Sequence, residues 1–579
     1  MKQFVFDIDA NGLNPDKVWC ICIQEVGCDI VYSIHPNGIK IGRFHEWLEE
    51  QGECELIGHN IIDYDIPVLE RLLGADFSKC KITDTLVLSR LADPSREGGH
   101  SLEAWGQRLG CPKGEHNDWD SYSPEMVEYC EQDVRVNVKV YNRLLRSVIT
   151  NFGSESIDLE HQVQGVISEQ IRNGWLLDQE GAFVLLAKLK ERKFDLEEAV
   201  HNTFKPLPTF VREVTPKFKK DSSLSVVGLK FLGEQWTTVG GEFSRIDYPE
   251  FNLGSRQQIG RYLKYFGWKP SKFTDKGQAI VDEAVLSKVT DIPEASMIAE
   301  YLLVQKRIAQ VQSWLDAVED DGRVHGYVNA NGTVTGRMTH SSPNMAQVPS
   351  VSAEYGTECR ACWTAPKGYK VVGMDASGLE LRMLAHYMND GDYTNEILTG
   401  DIHTANQIAS GVDTRSQAKT FIYAFLYGAG DAKIGSIVGG TARDGRRLKE
   451  KFLYNTPSLR DLRERVSTAS GRGYLYGLDG RRVYVRSEHS ALNTLLQSAG
   501  AIVMKKALVL LDEYAKLWNI DYKFIGNIHD EIQTEVREEE AEVFGRLAVS
   551  CIEASGQHYK LNCPLSGEYK IGGNWSETH

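Results

Sequence analysis

The sequence predicts a multidomain protein of α/β and α+β type. Its 579 residues exceed what one hydrophobic core organises, and at roughly 150 residues per domain they indicate three or four units. Hydrophobic residues make up 42% of the chain and charged residues 25%, which is typical of folded globular proteins. Short β-rich runs alternate with helical periodicity along the chain. Collagen-like, coiled-coil and mucin-like architectures are therefore excluded.

Charge and hydropathy limit the class of protein further. The 65 basic and 80 acidic residues leave a formal charge of −15, which argues against a protein that coats DNA non-specifically. No window approaches the roughly 18 uninterrupted apolar residues of a membrane span, and the N-terminus lacks the basic-then-apolar order of a secretory signal. We expect a soluble, intracellular protein with no membrane partner.

The 11 cysteines are expected to be reduced and mostly buried thiols. Two close pairs occur, Cys20-Ile-Cys22 and Cys359-Arg-Ala-Cys362, and neither has a second pair that would complete a tetrahedral zinc site. A zinc or redox role for the Cys359 pair is the less favoured alternative.

Residues 1–150 have the pattern of an α/β domain. Short β-rich runs cover 3–8, 18–24 and 29–34, and helical patterns follow around 43–50, 66–73 and 84–92. Helical patterns continue at 156–203, 255–267 and 294–318, with an extended basic insertion at 205–250. A strand and a helix are predicted at 370–388, helices at 413–427 and 491–516, and a strand–turn–strand at 522–536.

Five polar residues of the first domain can converge on one cation site. Asp7 and Asp9 lie two apart in a predicted strand, so both carboxylates point to the same face. Asp65 comes five residues after Asn60, and the four-residue spacing of Tyr129 and Asp133 places both on one helix face. Singly, each residue fits a surface or turn position better. Together, these carboxylates suit divalent cations.

A second group of acids lies in the C-terminal half. Asp375 stands where a hydrophobic strand ends and a helix begins, and Asp530 follows His529 at the turn of a predicted hairpin. Ser377-Gly-Leu-Glu380 has the spacing of a capping box, in which both side chains satisfy free N–H groups at a helix start. The residues alone leave open whether Glu380 is a cap or has a functional role.

Arg415, Lys419, Tyr423 and Tyr427 recur at steps of four along one helical pattern. Each step advances about 400°, so the four side chains lie along one slowly turning face. Two cations followed by two aromatic rings suit a polyanion beside a planar base. On this helix alone, solvated cations and packed tyrosines would be the preferred explanation.

In its order and spacing, the first group resembles the DEDDy family of 3′–5′ exonucleases. The resemblance implies an RNase H-like domain at 1–150, in which Asp7, Asp9, Asp65 and Asp133 hold two divalent ions and Tyr129 positions the attacking water. Asp9 departs from the family's Asp-x-Glu motif, because its side chain is one methylene shorter.

The second group resembles DNA polymerase family A, the DNA polymerase I family. The likeness runs through TGRMTHSSPNMAQVP (335–349), CRACW (359–363), GDIHTANQIA (400–409), YGLDGRRVYVRS (476–487) and NTLLQSAGA (493–501), besides the motifs of Asp375, Arg415 and Asp530. It implies a right-hand polymerase at 151–579, with a thumb at about 160–320, a palm at about 321–400 and 485–579, and fingers at about 401–484. The length is similar to that of replicative polymerases from small podovirus-type phages, and leaves no room for a 5′ nuclease domain.

The resemblance also implies roles for single residues. Two Mg²⁺ ions would be held by Asp375, the carbonyl of Ala376 and Asp530, and the triphosphate by His403, Arg415 and Lys419. Tyr423 would lie beside the incoming sugar, and Glu380 packed against Tyr427 would exclude a ribose 2′-OH. The duplex minor groove and primer end would contact Arg337, Gln497 and His529, and the DNA backbone would contact Asn252, Ser255 and Arg256.

The expected function is template-directed DNA synthesis from dNTPs with 3′–5′ proofreading, replicating a phage genome in the host cytoplasm beside a helicase and a primase. An exonuclease with a degenerate polymerase module and a non-catalytic replisome DNA-binding protein are the alternatives, and Glu380 with Tyr427 disfavours an RNA polymerase. For the 205–250 insertion, a built-in DNA clamp or a surface loop is preferred over a thioredoxin-binding loop.

Overall fold

The computed structural model describes residues 1–225 and 241–578 of the chain. The chain divides into two compact units, Met1–Asp178 with Ala317–His579 and, between them in the sequence, Gln179–Asp316. Residues 226–240 of the predicted basic insertion lie outside the described residues.

The N-terminal region is built on a five-stranded mixed sheet. Its strands are β1 (Lys2–Ala10), β2 (Val18–Glu25), β3 (Val31–Ile34), β4 (Cys54–Gly58) and β5 (Cys80–Asp84), in the order β3-β2-β1-β4-β5. β2 runs antiparallel to β1 and β3, whereas β1, β4 and β5 are parallel. The three predicted β-rich runs are confirmed. β4 was not predicted, because it is buried along its whole length and lacks the alternation of a half-exposed strand.

Helices cover this sheet and lead away from it. They are α1 (Arg43–Gln51), α2 (Asp65–Leu73), α3 (Thr85–Ala92), α4 (Leu102–Arg108), α5 (Pro124–Leu144) and α6 (Ser154–Asn173). The helices predicted at 43–50, 66–73 and 84–92 are confirmed. α5 starts with Ser123 as its N-cap and Pro124 as its first residue, and it packs on β1 and β2.

The helical stretch predicted at 156–203 is interrupted. Gly174, with a φ of 60°, ends α6, and the short strand β6 (Trp175–Leu177) follows. A Cβ at Gly174 would lie 2.7 Å from the His325 ring, so glycine is required for its backbone conformation and for space. The second half of the stretch is a separate helix, α7 (Gln179–Thr203), which belongs to the other unit.

The unit Gln179–Asp316 combines helices with a small sheet. Besides α7 it contains the strands β7 (Thr209–Val214) and β8 (Phe243–Asp247) and the helices α8 (Arg256–Tyr265), α9 (Glu283–Leu286) and α10 (Pro293–Asp316). α7 packs against α10, and β7 pairs antiparallel with β8. The described ends of the basic insertion are therefore extended, as predicted.

The chain from Ala317 onward builds a four-stranded antiparallel sheet with helices around it. The strands of this part of the chain are β9 (Arg323–Val324), β10 (Tyr327–Asn329), β11 (Thr339–Ser341), β12 (Trp363–Thr364), β13 (Tyr369–Ala376), β14 (Tyr474–Tyr476), β15 (Arg482–Tyr484), β16 (Tyr522–Ile528), β17 (Glu531–Arg537) and β18 (Gly567–Gly572). Its helices are α11 (Gly356–Ala361), α12 (Leu379–Met388), α13 (Gly391–Leu398), α14 (Ile402–Ser410), α15 (Arg415–Leu426), α16 (Asp431–Ser436), α17 (Ala442–Asn455), α18 (Pro457–Ser470), α19 (Ala491–Leu517) and α20 (Ala541–His558). The central sheet has the order β16-β17-β13-β18. The elements predicted at 370–388, 413–427, 491–516 and 522–536 are confirmed.

The stretch Glu488–Leu517, which includes α19, is long and apolar enough to cross a membrane. However, 78% of its most apolar window is buried inside the fold, where α19 packs against α6, α12 and α20. Core helices of globular proteins pass the same test of length and hydropathy. No other helix in the part of the chain that the structure describes meets it.

Candidate active sites

Two aspartates lie at the same end of the two middle strands of the central sheet. Asp375 pairs in register with Glu531, the first residue of β17. Asp530 directly precedes Glu531, in a two-residue turn with His529 that joins β16 to β17. Asp375 near the end of β13 and Asp530 in the turn before β17 thus lie at the same end of two adjacent strands, with Asp375 exposed and Asp530 half-buried. The buried Ala376 follows at the end of β13.

The hairpin that carries Asp530 is held from beneath by Glu531. The Oε1 atom of Glu531 accepts hydrogen bonds from Trp575 Nε1 at 2.6 Å and from Gln533 Nε2 at 2.5 Å. Arg360 Nη1 lies 3.7 Å from the same oxygen. Because these groups are buried, the contacts fix the hairpin backbone and present Asp530 from a rigid support.

Glu380 and Tyr427 form the pair that the resemblance implies. Tyr427 Oη donates to Glu380 Oε1 at 2.6 Å, and Arg337 Nη2 lies 3.4 Å from that oxygen. Burial and the Glu380 carboxylate raise the pKa of Tyr427. The capping-box interpretation of Ser377 and Glu380 is wrong, because α12 begins after Gly378, whose left-handed backbone takes the N-cap position without a side-chain cap.

The start of α15 carries the predicted triphosphate-binding cations. Thr414 caps the helix in a capping box. Arg415 Nε and Nη2 donate to Asp401 Oδ2 and Oδ1 at 2.6 and 3.1 Å, which is a bidentate ion pair. Lys419 lies one turn further along and is exposed, and the half-buried Tyr423 follows.

Asp401 is a site residue that the sequence analysis missed. It is the N-cap of α14, where its carboxylate accepts from the His403 N–H at 3.1 Å, and the same carboxylate holds Arg415. The Arg415 guanidinium keeps the pKa of Asp401 well below its usual range. The His403 and Tyr423 ring centroids are 6.4 Å apart, so α14 and α15 present their polar residues together. An aspartate directly before a helical pattern is the N-cap signal that could have identified Asp401.

The residues predicted to contact DNA lie in both units. The larger unit contains Arg337, the half-buried Gln497 on α19, and His529. Arg337 and His529 line one cavity together with Asp530 and α19. The smaller unit contains Asn252, Ser255 and Arg256, of which Ser255 caps α8 and the other two are exposed.

The acids of the N-terminal region converge on one open cavity. Its wall contains Asp7, Asp9, Asp65, Tyr129 and Asp133, with His59 and Asn60. Asp65 is the first residue of α2, and its Oδ1 accepts the Ile8 N–H at 3.1 Å, which ties α2 to β1. The structure thus brings together all five residues that the sequence analysis selected in this region.

Burial and crowding of these carboxyls favour a bound cation. Burial raises the pKa of Asp7 well above its ordinary value, that of Asp9 to about 8, that of Asp65 to about 7 and that of Asp133 to about 6. Around Asp7 and Asp9 the neighbouring carboxylates add to the effect. Asp133 Oδ1 is buried and has no hydrogen-bond partner among the described residues. This donor set of carboxylate oxygens fits a hard divalent ion such as Mg²⁺.

Lys113 is a second residue that the sequence analysis missed. Its Nζ lies 2.6 Å from Asp133 Oδ2 and 4.8 Å from the centre of the Tyr129 ring. Although burial opposes its charge, the Asp133 carboxylate raises the pKa of Lys113 above its ordinary value. Lys113 therefore joins the carboxylate cluster to the tyrosine. No spacing rule links a loop lysine to a helix residue 20 positions later, so the sequence carried no signal for it.

The cysteines give no support to the alternative role of the Cys359 pair. The 11 cysteines form no disulfide within the described residues. Three thiols lie within 4.8 Å of one another among these residues, those of Cys20, Cys22 and Cys130, and Cys359 is not among them.

Comparison with known proteins decides the family. The family model for DNA polymerase family A matches residues 230–577. The chain belongs to DNA polymerase family A. Over its whole length, this family A polymerase is 37% identical to the DNA-directed DNA polymerases of Enterobacteria phage T3 and Escherichia phage T7, and both chains are covered completely in each comparison.

A solved structure shows the same fold as this family A polymerase. It is the POL domain of Pol1 from M. smegmatis in complex with DNA primer-template and dNTP, and the TM-score is 0.78 at 18% identity, over 99% of this chain and 95% of that one. The predicted fold class is confirmed. Family A DNA polymerases use divalent metal ions, generally Mg²⁺.

Proposed function

We propose that this family A polymerase extends a primer 3′ end on a DNA template, with Asp375 and Asp530 as its metal-binding carboxylates. Their position at the same end of two adjacent strands, β13 and β17, carries the proposal. The donor set, two carboxylates with the carbonyl of Ala376, suits Mg²⁺. Such ions would lower the pKa of the primer hydroxyl and neutralise charge on the pyrophosphate leaving group.

The exposed face of α15 would receive the incoming dNTP. Arg415, Lys419 and His403 would bind the triphosphate, with Arg415 nearest its outer end. A guanidinium that already binds a carboxylate with two parallel hydrogen bonds has the geometry to bind a phosphate in the same way. Tyr423, half-buried beside His403, would lie against the sugar.

The Glu380 and Tyr427 pair would select deoxyribonucleotides. The tyrosine hydroxyl is hydrogen-bonded to the carboxylate, which Arg337 also contacts, so the pair is held in place. A ribose 2′-OH would have to displace a satisfied hydrogen bond, which costs free energy. This arrangement supports DNA synthesis over RNA synthesis.

The N-terminal cavity would remove misincorporated nucleotides from the primer 3′ end. Asp7, Asp9, Asp65 and Asp133 would hold divalent ions, and Tyr129 would orient the attacking water. Ions in such a site activate a water nucleophile and stabilise the leaving 3′ oxygen. The raised carboxyl pKa values and the unpartnered Asp133 Oδ1 support cation binding here.

Primer–template DNA and dNTPs would be the partners of the chain. Arg337, Gln497 and His529 would contact the minor groove, where acceptors lie at similar positions for every correct base pair. Asn252, Ser255 and Arg256 would contact phosphates.

We further propose domain limits of 1–150 and 151–579, and phage genome replication in the host cytoplasm with a helicase and primase. A DNA clamp or surface loop is preferred to thioredoxin binding for the 205–250 insertion.

A primer-extension assay on wild type, Asp530→Ala and Asp7→Ala tests both sites. With Mg²⁺ and dNTPs, we expect Asp530→Ala to lose extension while it still degrades the 3′ end without dNTPs. Asp7→Ala should do the reverse, so each variant is the folding control of the other. Replacement of dNTPs by rNTPs should abolish extension by the wild type.

Contrary outcomes are equally clear. Extension by Asp530→Ala, or degradation by Asp7→Ala, would refute the corresponding assignment. A wild type that degrades but never extends would favour an exonuclease with a degenerate polymerase module. A wild type that binds DNA with neither activity would favour the non-catalytic replisome protein.

A further inference from the structure

Three thiols converge beneath the N-terminal carboxylate cavity. Cys20 and Cys22 lie two residues apart on β2 and so point to the same face, and α5 contributes Cys130. Their sulfur atoms all lie within 4.8 Å of one another, and each side chain is 0% exposed. Apolar packing alone does not require three sulfur atoms at one point, and thiolates are the ligands of structural zinc sites.

The thiols lie next to the carboxylates in the fold. In the ladder between β1 and β2, Cys20 pairs with Asp9 and Cys22 with Asp7. Cys130 Sγ lies 3.4 Å from the carbonyl oxygen of Asp7, and Cys20 Sγ lies 3.9 Å from Asp9 Oδ2. An ion held by these thiols would therefore touch the strand that positions both aspartates.

We propose that Cys20, Cys22 and Cys130 bind a thiophilic divalent cation of the Zn²⁺ and Cd²⁺ class. Zn–S bonds of about 2.3 Å separate the sulfurs of a tetrahedral site by roughly 3.8 Å, so the present spacing needs only a small contraction. The carboxylate of Asp9 is placed to be the fourth donor. Each thiol that becomes a ligand releases its proton to solvent.

The neighbouring acids and the thiols prefer different cations. The negative potential of the acids attracts any divalent cation to the cavity. Carboxylate oxygens prefer Mg²⁺, whereas sulfur prefers softer ions. Mg²⁺ should therefore bind at the carboxylates and Zn²⁺ or Cd²⁺ at the thiols. An ion on the thiols would engage Asp9 and join β2 to α5, and we expect this to slow 3′ degradation. That consequence rests on the proposed exonuclease function, but cation binding does not.

The full chain is first reduced, freed of reductant and then titrated with cadmium chloride. The ultraviolet charge-transfer absorption of Cd–thiolate bonds reports binding at the site. We expect the wild type to show a band that saturates at about one Cd²⁺ per chain. Cys130→Ser and Cys20→Ala should lose most of it. Cys80→Ser is the matched control, since Cys54 and Cys80 form a two-thiol contact, at 3.7 Å, in the same sheet.

Folding of each variant is checked by primer extension, which depends on the other active site. If Cys130→Ser fails that check, Cys20→Ala and Cys22→Ala decide. Absence of the band in wild type, or a band of equal size in a folded Cys130→Ser, would overturn the proposal.

The functional arm compares 3′ degradation in Mg²⁺ with and without Cd²⁺. Wild type should slow at least tenfold, and Cys130→Ser should resist the inhibition. Equal inhibition of both proteins would show that cadmium acts at the carboxylates instead and would overturn the proposed effect on degradation. If the wild type never degrades DNA, the exonuclease assignment fails, and the absorption band still decides the thiol site.

Discussion

Glu160 is the centre of a buried ionic network that joins α6 to the C-terminal part of the chain. Its carboxylate accepts from Lys505 Nζ at 2.7 and 2.8 Å and from Arg481 Nη1 at 2.5 Å, and Arg481 is also paired with Asp479 at 2.6 Å. All four side chains are buried. We predict that Glu160→Gln loosens the packing of α6 against α19, because it removes the charge that balances Lys505.

The structure sets the size of this effect. Removal of one partner of a buried ion pair costs about 3–5 kcal/mol, since the other charge stays buried without compensation. We expect the low end, about 3 kcal/mol, because burial and the nearby Arg481 lower the pKa of Lys505 to about 8 and let it release its proton. A difference of about 3 kcal/mol is roughly a 150-fold change in an opening equilibrium.

Hydrogen exchange followed by mass spectrometry measures that opening directly. Peptides from α6 and α19 should exchange roughly a hundredfold faster in Glu160→Gln. Glu169→Gln is the matched control on the same helix, because Glu169 is 44% exposed and lies 3.4 Å from Lys516 at the surface. Such pairs contribute at most about 1 kcal/mol, so its exchange should rise less than about fivefold. Equal effects of the two substitutions would refute the argument.

The pH dependence provides a second check on the same network. Although burial opposes ionisation, Lys505 and Arg481 lower the pKa of Glu160 below its ordinary value. A carboxyl whose pKa is depressed by folding contributes stability at neutral pH, and this contribution is lost as the pH falls through its titration range. The difference in melting temperature between wild type and Glu160→Gln should therefore narrow in acid.

Two further substitutions probe the residues found only in the structure. Lys113→Met should slow 3′ degradation by roughly tenfold to a hundredfold, because Tyr129 and Asp133 lose a charged partner. Primer extension should not change. Unchanged 3′ degradation would contradict this role of Lys113. Asp401→Asn keeps an N-cap side chain but removes the charge that holds Arg415. The KM for dNTPs should therefore fall a few-fold, with kcat unchanged. An equal or higher KM would show that the ion pair of Arg415 and Asp401 does not compete with the triphosphate.

Sequence periodicity located the elements whose two faces differ. α15 was predicted within two residues, because one side of it is buried and the other is polar. β4 was missed because it is buried on both faces, and a short apolar run of this kind gives no period to detect. The interruption at Gly174 was missed because a glycine inside a helical pattern gives little local signal, and the tertiary contact with His325 decides its conformation.

The candidate sites divide in the same way. Acids at strand ends and at four-residue helix spacings could be selected from the sequence, because secondary structure fixes where such side chains point. Partners that arrive from loops could not, and Lys113 is the example. The capping-box interpretation of Glu380 failed because the left-handed backbone of Gly378 moves the helix start by one residue, and sequence spacing does not reveal backbone handedness.

The two sites hold their acids in opposite environments, and this determines how each responds to cations. In the N-terminal cavity, burial raises the pKa of Asp9 to about 8 and that of Asp65 to about 7. These two carboxyl groups are therefore partly protonated at neutral pH. Asp375 instead stands exposed at the end of β13. A divalent ion must therefore displace protons to enter the first site. We therefore expect the Mg²⁺ concentration that 3′ degradation requires to rise as the pH falls.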